Sequence, residues 1–257
     1  MNLLNVLRIA SMTAEESLRK KILYLILFLS VILVALSNFV NVFNLGAQVR
    51  LIKDFSLTGI NFFGLIFTLA MYLNAIPREI EGKTIYPLLT KPLSRSEYLW
   101  GKFLGNYFLV FLNMAILALE LFFILKLNSN VAYFSIFPCV FLYFLQCGVV
   151  GALVLFLSIH FSYPMTLSLA FFFYILGSLS AVYIQYLAAQ TPNSIGVLFI
   201  RLVKDLLPHF DYFDIKNSVV HDYLIDPRYL PAATLYGAVY TWLLMLLGEF
   251  SIRHKDL

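Results

Sequence analysis

Few residues of this 257-residue chain could do chemistry, and the densest group is His209, Asp211, Asp214, His221, Asp222 and Asp226. Imidazoles among carboxylates could hold a metal ion through nitrogen and oxygen, or act as acid and base in a membrane enzyme. Their spacing matches no ligand pattern, and connections between apolar helices are routinely polar. His160, in the brief turn from Ile159 to Pro164, is a polar turn residue on the same reasoning. Glu120 lies inside an apolar run, where a carboxylate at the bilayer centre costs about 2.5–3.5 kcal/mol. It sits towards one end of the run and has two readings: a cavity or subunit-interface group, or a snorkelling side chain paired with Lys126. Gly82, Lys83 and Thr84 imitate the end of a phosphate-binding loop, but that pattern requires glycine at 77, where Pro77 stands. If ATP is involved, another polypeptide binds it. Cys139 and Cys147 lie too far apart on a straight helix to pair and are expected as small buried packing residues.

The elements that must position these groups follow from composition. Hydrophobic residues make up 61% of the chain and charged residues 12%, against roughly a quarter charged in a soluble domain. So few charges cannot cover a water-facing surface, and the expected solvent is lipid. The predicted fold class is all-α integral membrane, one transmembrane domain over residues 1–257. Six spans are predicted: Ile22–Val42, Leu57–Ile76, Phe103–Leu125, Phe134–Ile159, Met165–Leu187 and Ala232–Phe250. Each approximates the roughly 30 Å hydrocarbon thickness. Residues 1–21 form an amphipathic interface helix, with Leu3, Leu4, Leu7, Ala14 and Leu18 on one face and Glu15–Arg19 and Glu16–Lys20 paired at (i, i+4). The exterior segment 188–231 holds a second amphipathic helix, with Ile195, Leu198, Phe199, Leu202, Val203 and Leu206 at helical spacing and Pro208 as the stop. No cleavable signal peptide is expected, because the first apolar run follows a charged leader. Phe171, Phe172, Phe173, Tyr174, Tyr183 and Tyr186 make the fifth span aromatic. Interface belts account for such residues, and so does a translocation path or subunit interface, for which Phe172, Tyr174 and Tyr183 are the candidates.

Of the 18 Lys and Arg, eleven lie in the leader, the 77–102 loop and the tail. That bias places both termini and the loop in the cytosol. The net charge of +4 carries no argument for nucleic acid. The loop itself, 77–97, is the one strongly polar stretch between two long apolar runs. Ile80, Ile85, Leu88 and Leu89 give it a short apolar stripe among Glu79, Glu81 and Lys83. Pro92 pushes Lys91 towards extended backbone. Ser94 and Glu97 form a capping box with Leu93 and Tyr98 as its staple, so the third span's helix is predicted to start near Arg95. Gly101 and Gly105, four apart, mark a close helix approach, here at the cytosolic end and so more suited to serving the loop than a dimer seam.

The run from Glu79 through Gly82, Leu88, Leu89, Pro92 and Arg95, followed by Gly101 and Lys102 entering the next span, resembles the pattern of the second family of ABC exporter permeases (ABC-2 type). The Leu207–Asp214 stretch resembles a Pro-x-Phe pattern that such permeases carry before their last span. The resemblance implies a transport subunit of an exporter and not an enzyme. It implies no cofactor in this chain, with ATP and Mg held by a separate cytosolic ATPase dimer. It implies a second permease copy as partner, pairing at the first, second and fifth spans. It also implies a bacterial inner membrane and allows a periplasmic partner protein. Under it, Glu79, Glu81, Gly82, Leu88, Leu89, Pro92 and Arg95 would form the coupling surface for the ATPase. Two other classes stay open at this point. One is a membrane enzyme using the exterior carboxylates and histidines on a lipid or lipid-linked substrate. The other is an ion-coupled secondary transporter, which would want several buried ionisable groups where the sequence offers Glu120 alone.

Overall fold

The computed structural model describes residues 3–37, 45–73, 94–129, 131, 133–178 and 207–254. They form α1 (Leu3–Leu18), α2 (Lys21–Leu36), α3 (Leu45–Tyr72), α4 (Arg95–Ser129), α5 (Ile136–His160), α6 (Tyr163–Ser178), a 3-10 turn (Phe210–Phe213), α7 (Lys216–Val220) and α8 (Tyr229–His254). The all-α class is as predicted. Among the described residues four helices are long and apolar enough to cross a membrane: Gln48–Tyr72, Arg95–Ser129, Ile136–His160 and Tyr229–Ile252. The apolar stretches Leu23–Leu36 and Tyr163–Ser178 are shorter. The remainder of the first and fifth predicted spans lies outside the described residues, as does the exterior helix predicted over 195–207 except for Leu207, which is buried.

α5 is the hub. It is buried along most of its length, including Leu142, Tyr143, Cys147 and Val150, and it packs against α3, α4, α6 and α8. Cys139 and Cys147 are free thiols buried within it, as expected of packing residues. Outward-facing Phe108, Phe123, Leu235, Trp242 and Phe250 are all about half exposed or more. An apolar surface this continuous is stable only against lipid or another apolar partner.

Two helices depart from their predicted bounds. α3 starts at Leu45, well before Leu57, because the charged residues Lys53 and Asp54 find partners from the 216–222 region and need not end the helix. α4 has 35 residues, so it is roughly 50 Å long and projects beyond the hydrocarbon. Its start at Arg95 is the predicted one. The Ser94 amide donates to Glu97 Oε2 and the Glu97 amide to Ser94 Oγ, each at 3.2 Å. This reciprocal cap satisfies two donors that the helix cannot. Leu93, its predicted staple partner, lies outside the described residues. Ser94→Ala should cost about 1 kcal/mol, read as earlier thermal unfolding; a Tm equal to that of the parent chain would show that the box carries no stability.

Candidate functional site

The polar groups concentrate at two ends of the bundle, and the richer end is where residues 74–93 leave α3 and return to α4. Of the predicted coupling residues, Glu79, Glu81, Gly82, Leu88, Leu89 and Pro92 lie outside the described residues. Arg95 does not, and it opens α4 with Nη1 donating to the Ile252 carbonyl of α8 at 2.8 Å. Ser96 Oγ donates to Glu249 Oε1 at 2.7 Å, a second tie to α8.

On the other side of α4 lies α1. Gly101 and Gly105 form its seat. A Cβ on Gly101 would lie 2.6 Å from the Ile9 side chain, and one on Gly105 would strike the Ala10 carbonyl. The small-residue pair thus serves the leader helix, which corrects the expectation that it serves the loop. The face of α1 that packs here is Val6, Ile9, Thr13 and Ser17, while the predicted apolar face keeps Leu3, Leu4, Leu7 and Leu18 exposed. α1 therefore carries three faces: one small and buried, one apolar and outward, one charged.

Hydrogen bonds and ion pairs rivet that seat. Asn5 Nδ2 donates to Glu97 Oε2 at 3.2 Å, which ties α1 to the cap of α4. Ser17 Oγ donates to Asn106 Oδ1 at 3.1 Å, and Asn106 Nδ2 passes the link to the Met71 carbonyl at the end of α3 at 3.3 Å. Tyr72 Oη donates to the Phe103 carbonyl at 3.0 Å. Glu16 receives Lys20 at 3.7 Å, the predicted (i, i+4) pair, and also Lys102 at 3.5 Å. Glu16 is half exposed, so screening keeps these pairs weak. The neutral bonds between buried groups are the stiffer part. The α4 flank of 74–93 is thereby fixed to α1 and α8, and the α3 flank to α4 and, through Asn106, to α1.

The opposite end disperses the predicted acid and histidine cluster. Asp222 takes Lys53 Nζ at 2.6 Å, Asp214 accepts the Lys216 amide at 3.0 Å, and Asp226 caps the Arg228 amide at 2.8 Å. His221 Nδ1 sits 3.0 Å from the Asn217 carbonyl, and His209 stacks on Tyr212. No three His, Cys, Asp or Glu side chains converge on a metal-sized point among the described residues. Instead Phe210 and Phe213 plug the bundle, Phe210 against Tyr174 with ring centroids 5.2 Å apart. Gln146 Nε2 donates to Tyr174 Oη at 3.2 Å. Tyr174 thus points inward, whereas Phe172 on the same helix is exposed; the structure does not bring these two together. Tyr183 lies outside the described residues.

The burial of three charged groups escaped the sequence reading. Lys53 is fully buried, with its ammonium 3.8 Å from the Tyr133 ring centroid as well as on Asp222. Its place at helical spacing with Leu57, Ile60 and Gly64 was the signal that could have found it. Glu97 and Lys102 are also buried, so Glu120 is not the sole buried ionisable group; these three sit towards helix ends and not along a midplane pathway. Asn106 and Asn113 lie at heptad spacing with Glu120 on one face of α4. Among the described residues Glu120 Oε2 and both polar atoms of Asn113 are buried without a hydrogen-bond partner, which removes the Lys126 pairing expected for that oxygen. Each unsatisfied buried polar group costs about 1–3 kcal/mol.

A lipid-facing helical bundle, with its polar groups spent on holding helices together at both ends, is the architecture of a multi-pass membrane permease. The chain matches the family described as ABC-2 family transporter protein over residues 7–249, and it belongs to that family. Its role is accordingly that of a membrane component in transport. Comparison with curated proteins finds no match.

Proposed function

We propose that this chain is the membrane subunit of an ATP-driven exporter, worked by a separate cytosolic ATPase dimer through residues 77–97. Six helices span the membrane as one domain, with 1–21 as interface helix and 188–231 as exterior segment. Both termini face the cytosol of a bacterial inner membrane, as the Lys and Arg bias argues. Two copies pair at their first, second and fifth spans to enclose the path, and a periplasmic partner can dock outside. ATP and Mg stay in the ATPase. Its closure draws the two loops together and shifts the permease between two states.

The observation that carries this reading is the riveted frame around 74–93. A motor can move helices only through a stiff connection, and here the Arg95, Glu97 and Asn106 bonds join both flanks of the loop to α1, α3 and α8. Glu79, Glu81, Gly82, Leu88, Leu89 and Pro92 would supply the docking surface, and Arg95 its rigid base. Glu120 and Tyr174 are assigned to the path or subunit interface, with Phe172 and Tyr183 beside them.

The test is a Glu81→Arg, Leu88→Asp double variant. It reverses one orienting charge and places a carboxylate on the apolar stripe, so co-purifying ATPase should fall at least tenfold, as for loss of interface anchors. Retained ATPase association with intact transport refutes the assignment of this loop.

A further inference from the structure

Asn113 is 2% exposed, and neither its Oδ1 nor its Nδ2 has a partner. It lines a cavity of about 130 Å³ whose other walls, Tyr24 apart, are hydrocarbon, among them Leu18, Leu27, Phe67, Leu109 and Ile116. Tyr24, Leu112 and Ile116 at the same cavity are exposed on the bundle surface, at 58%, 40% and 44%, so it opens towards lipid.

Depth and chemistry select the occupant. Asn113 lies about 16 Å along α4 from Lys102 and about 20 Å from Lys126 at 1.5 Å per residue, close to mid-membrane. Glycerolipid ester and headgroup polar atoms stay near the interface and do not reach it. Water would find only the Asn113 amide and, at the mouth, the Tyr24 hydroxyl, the low end of the two to four polar partners that a buried water needs. An amide offers a donor and an acceptor together. A void of this size in a hydrophobic wall suits a body of about benzene size, and the open mouth lets a longer tail run out into lipid. We infer that the α1–α2–α4 cavity is a binding site for hydrophobic alcohols or amides entering from the bilayer, with Asn113 as the group that recognises their polar end. The inference stands on this geometry and on the membrane setting, and it holds whether or not the loop at 77–97 couples to an ATPase.

The experiment uses the full chain in phosphatidylcholine vesicles with a photoreactive diazirine derivative of octan-1-ol, followed by mass spectrometry of the labelled peptides. Labelling should concentrate on residues 23–27 and 109–116. Octan-1-ol should compete and octane should compete about tenfold less well, the difference made by one or two neutral hydrogen bonds. Asn113→Leu removes an unsatisfied buried amide and so should fold at least as well, yet it should lose the alcohol preference. Leu27→Trp, which fills the cavity and keeps Asn113, should abolish labelling there. Labelling spread evenly over the lipid-facing helices, or equal competition by octane, overturns the inference. So does a disulfide dimer formed through Ile116→Cys, since a second copy of the chain would then occupy this face.

Discussion

Replacing Gly105 by leucine should unseat α1. The new Cβ would meet the Ala10 carbonyl oxygen, which belongs to a helix backbone and cannot rotate aside as a side chain can. The cost should reach about 2–3 kcal/mol, the upper part of the range for overpacking, or a Tm lower by about 5 °C. Shortening the neighbouring side chain, as in Thr13→Ala, should not rescue it, because the obstacle is main chain. Limited proteolysis should reveal the consequence, with cuts near residues 18–21 appearing in the variant before the bundle unfolds. A Gly105→Leu chain with the parent Tm and the parent digestion pattern would mean that α1 does not rest on this seat. If the proposed function holds, the variant should also transport poorly while still binding its ATPase, since α1 is one of the helices riveted to the loop flanks.

Removing the carboxylate of Asp222 should loosen the far end by about 3 kcal/mol, because it strands the buried Lys53 ammonium. The remaining contacts, the Val219 carbonyl at 3.4 Å and the Tyr133 ring at 3.8 Å, do not neutralise the charge. Choice of replacement matters. Asp222 has φ 55°, left-handed backbone in which most side chains are strained. Asp222→Gly removes the charge at a position glycine occupies readily, so the measured loss reports the ion pair and not the backbone. Asp222→Ala should cost more. Adding Lys53→Met to Asp222→Gly should restore most of the loss, since a neutral side chain of similar length leaves no buried ammonium to desolvate. Hydrogen exchange at residues 216–222 is the sharpest readout. If the double variant is no more stable than Asp222→Gly alone, the buried charge is not what the carboxylate compensates.

These two sites also mark how far the sequence could be read. The capping box at Ser94 and Glu97 was legible to the residue, because its bonds span three positions and need no other helix. So was the Glu16–Lys20 pair. The close approach at Gly101 and Gly105 was legible as a seat, but its occupant was not: α1 presents two candidate faces, and the one that packs is the less apolar. Lys53 was not singled out in the sequence. Its partner lies 169 residues away, and no spacing rule links positions so distant. Asn113 and Glu120 stood in plain view at heptad spacing, yet only packing decides which polar groups in an apolar run find partners.

Composition and short-range pattern alone determined that this chain dissolves in lipid, folds as helices, and interrupts them with one charged connection, because solvation and (i, i+3) or (i, i+4) bonding are local quantities. The tertiary structure alone decided that α1 docks on the glycine face of α4, that the start of α4 after the 74–93 connection is bound to α1 and α8, and that Asp222 reaches Lys53. Those outcomes depend on which surfaces fit when helices meet, and shape complementarity is a property of pairs that neither partner's sequence carries by itself.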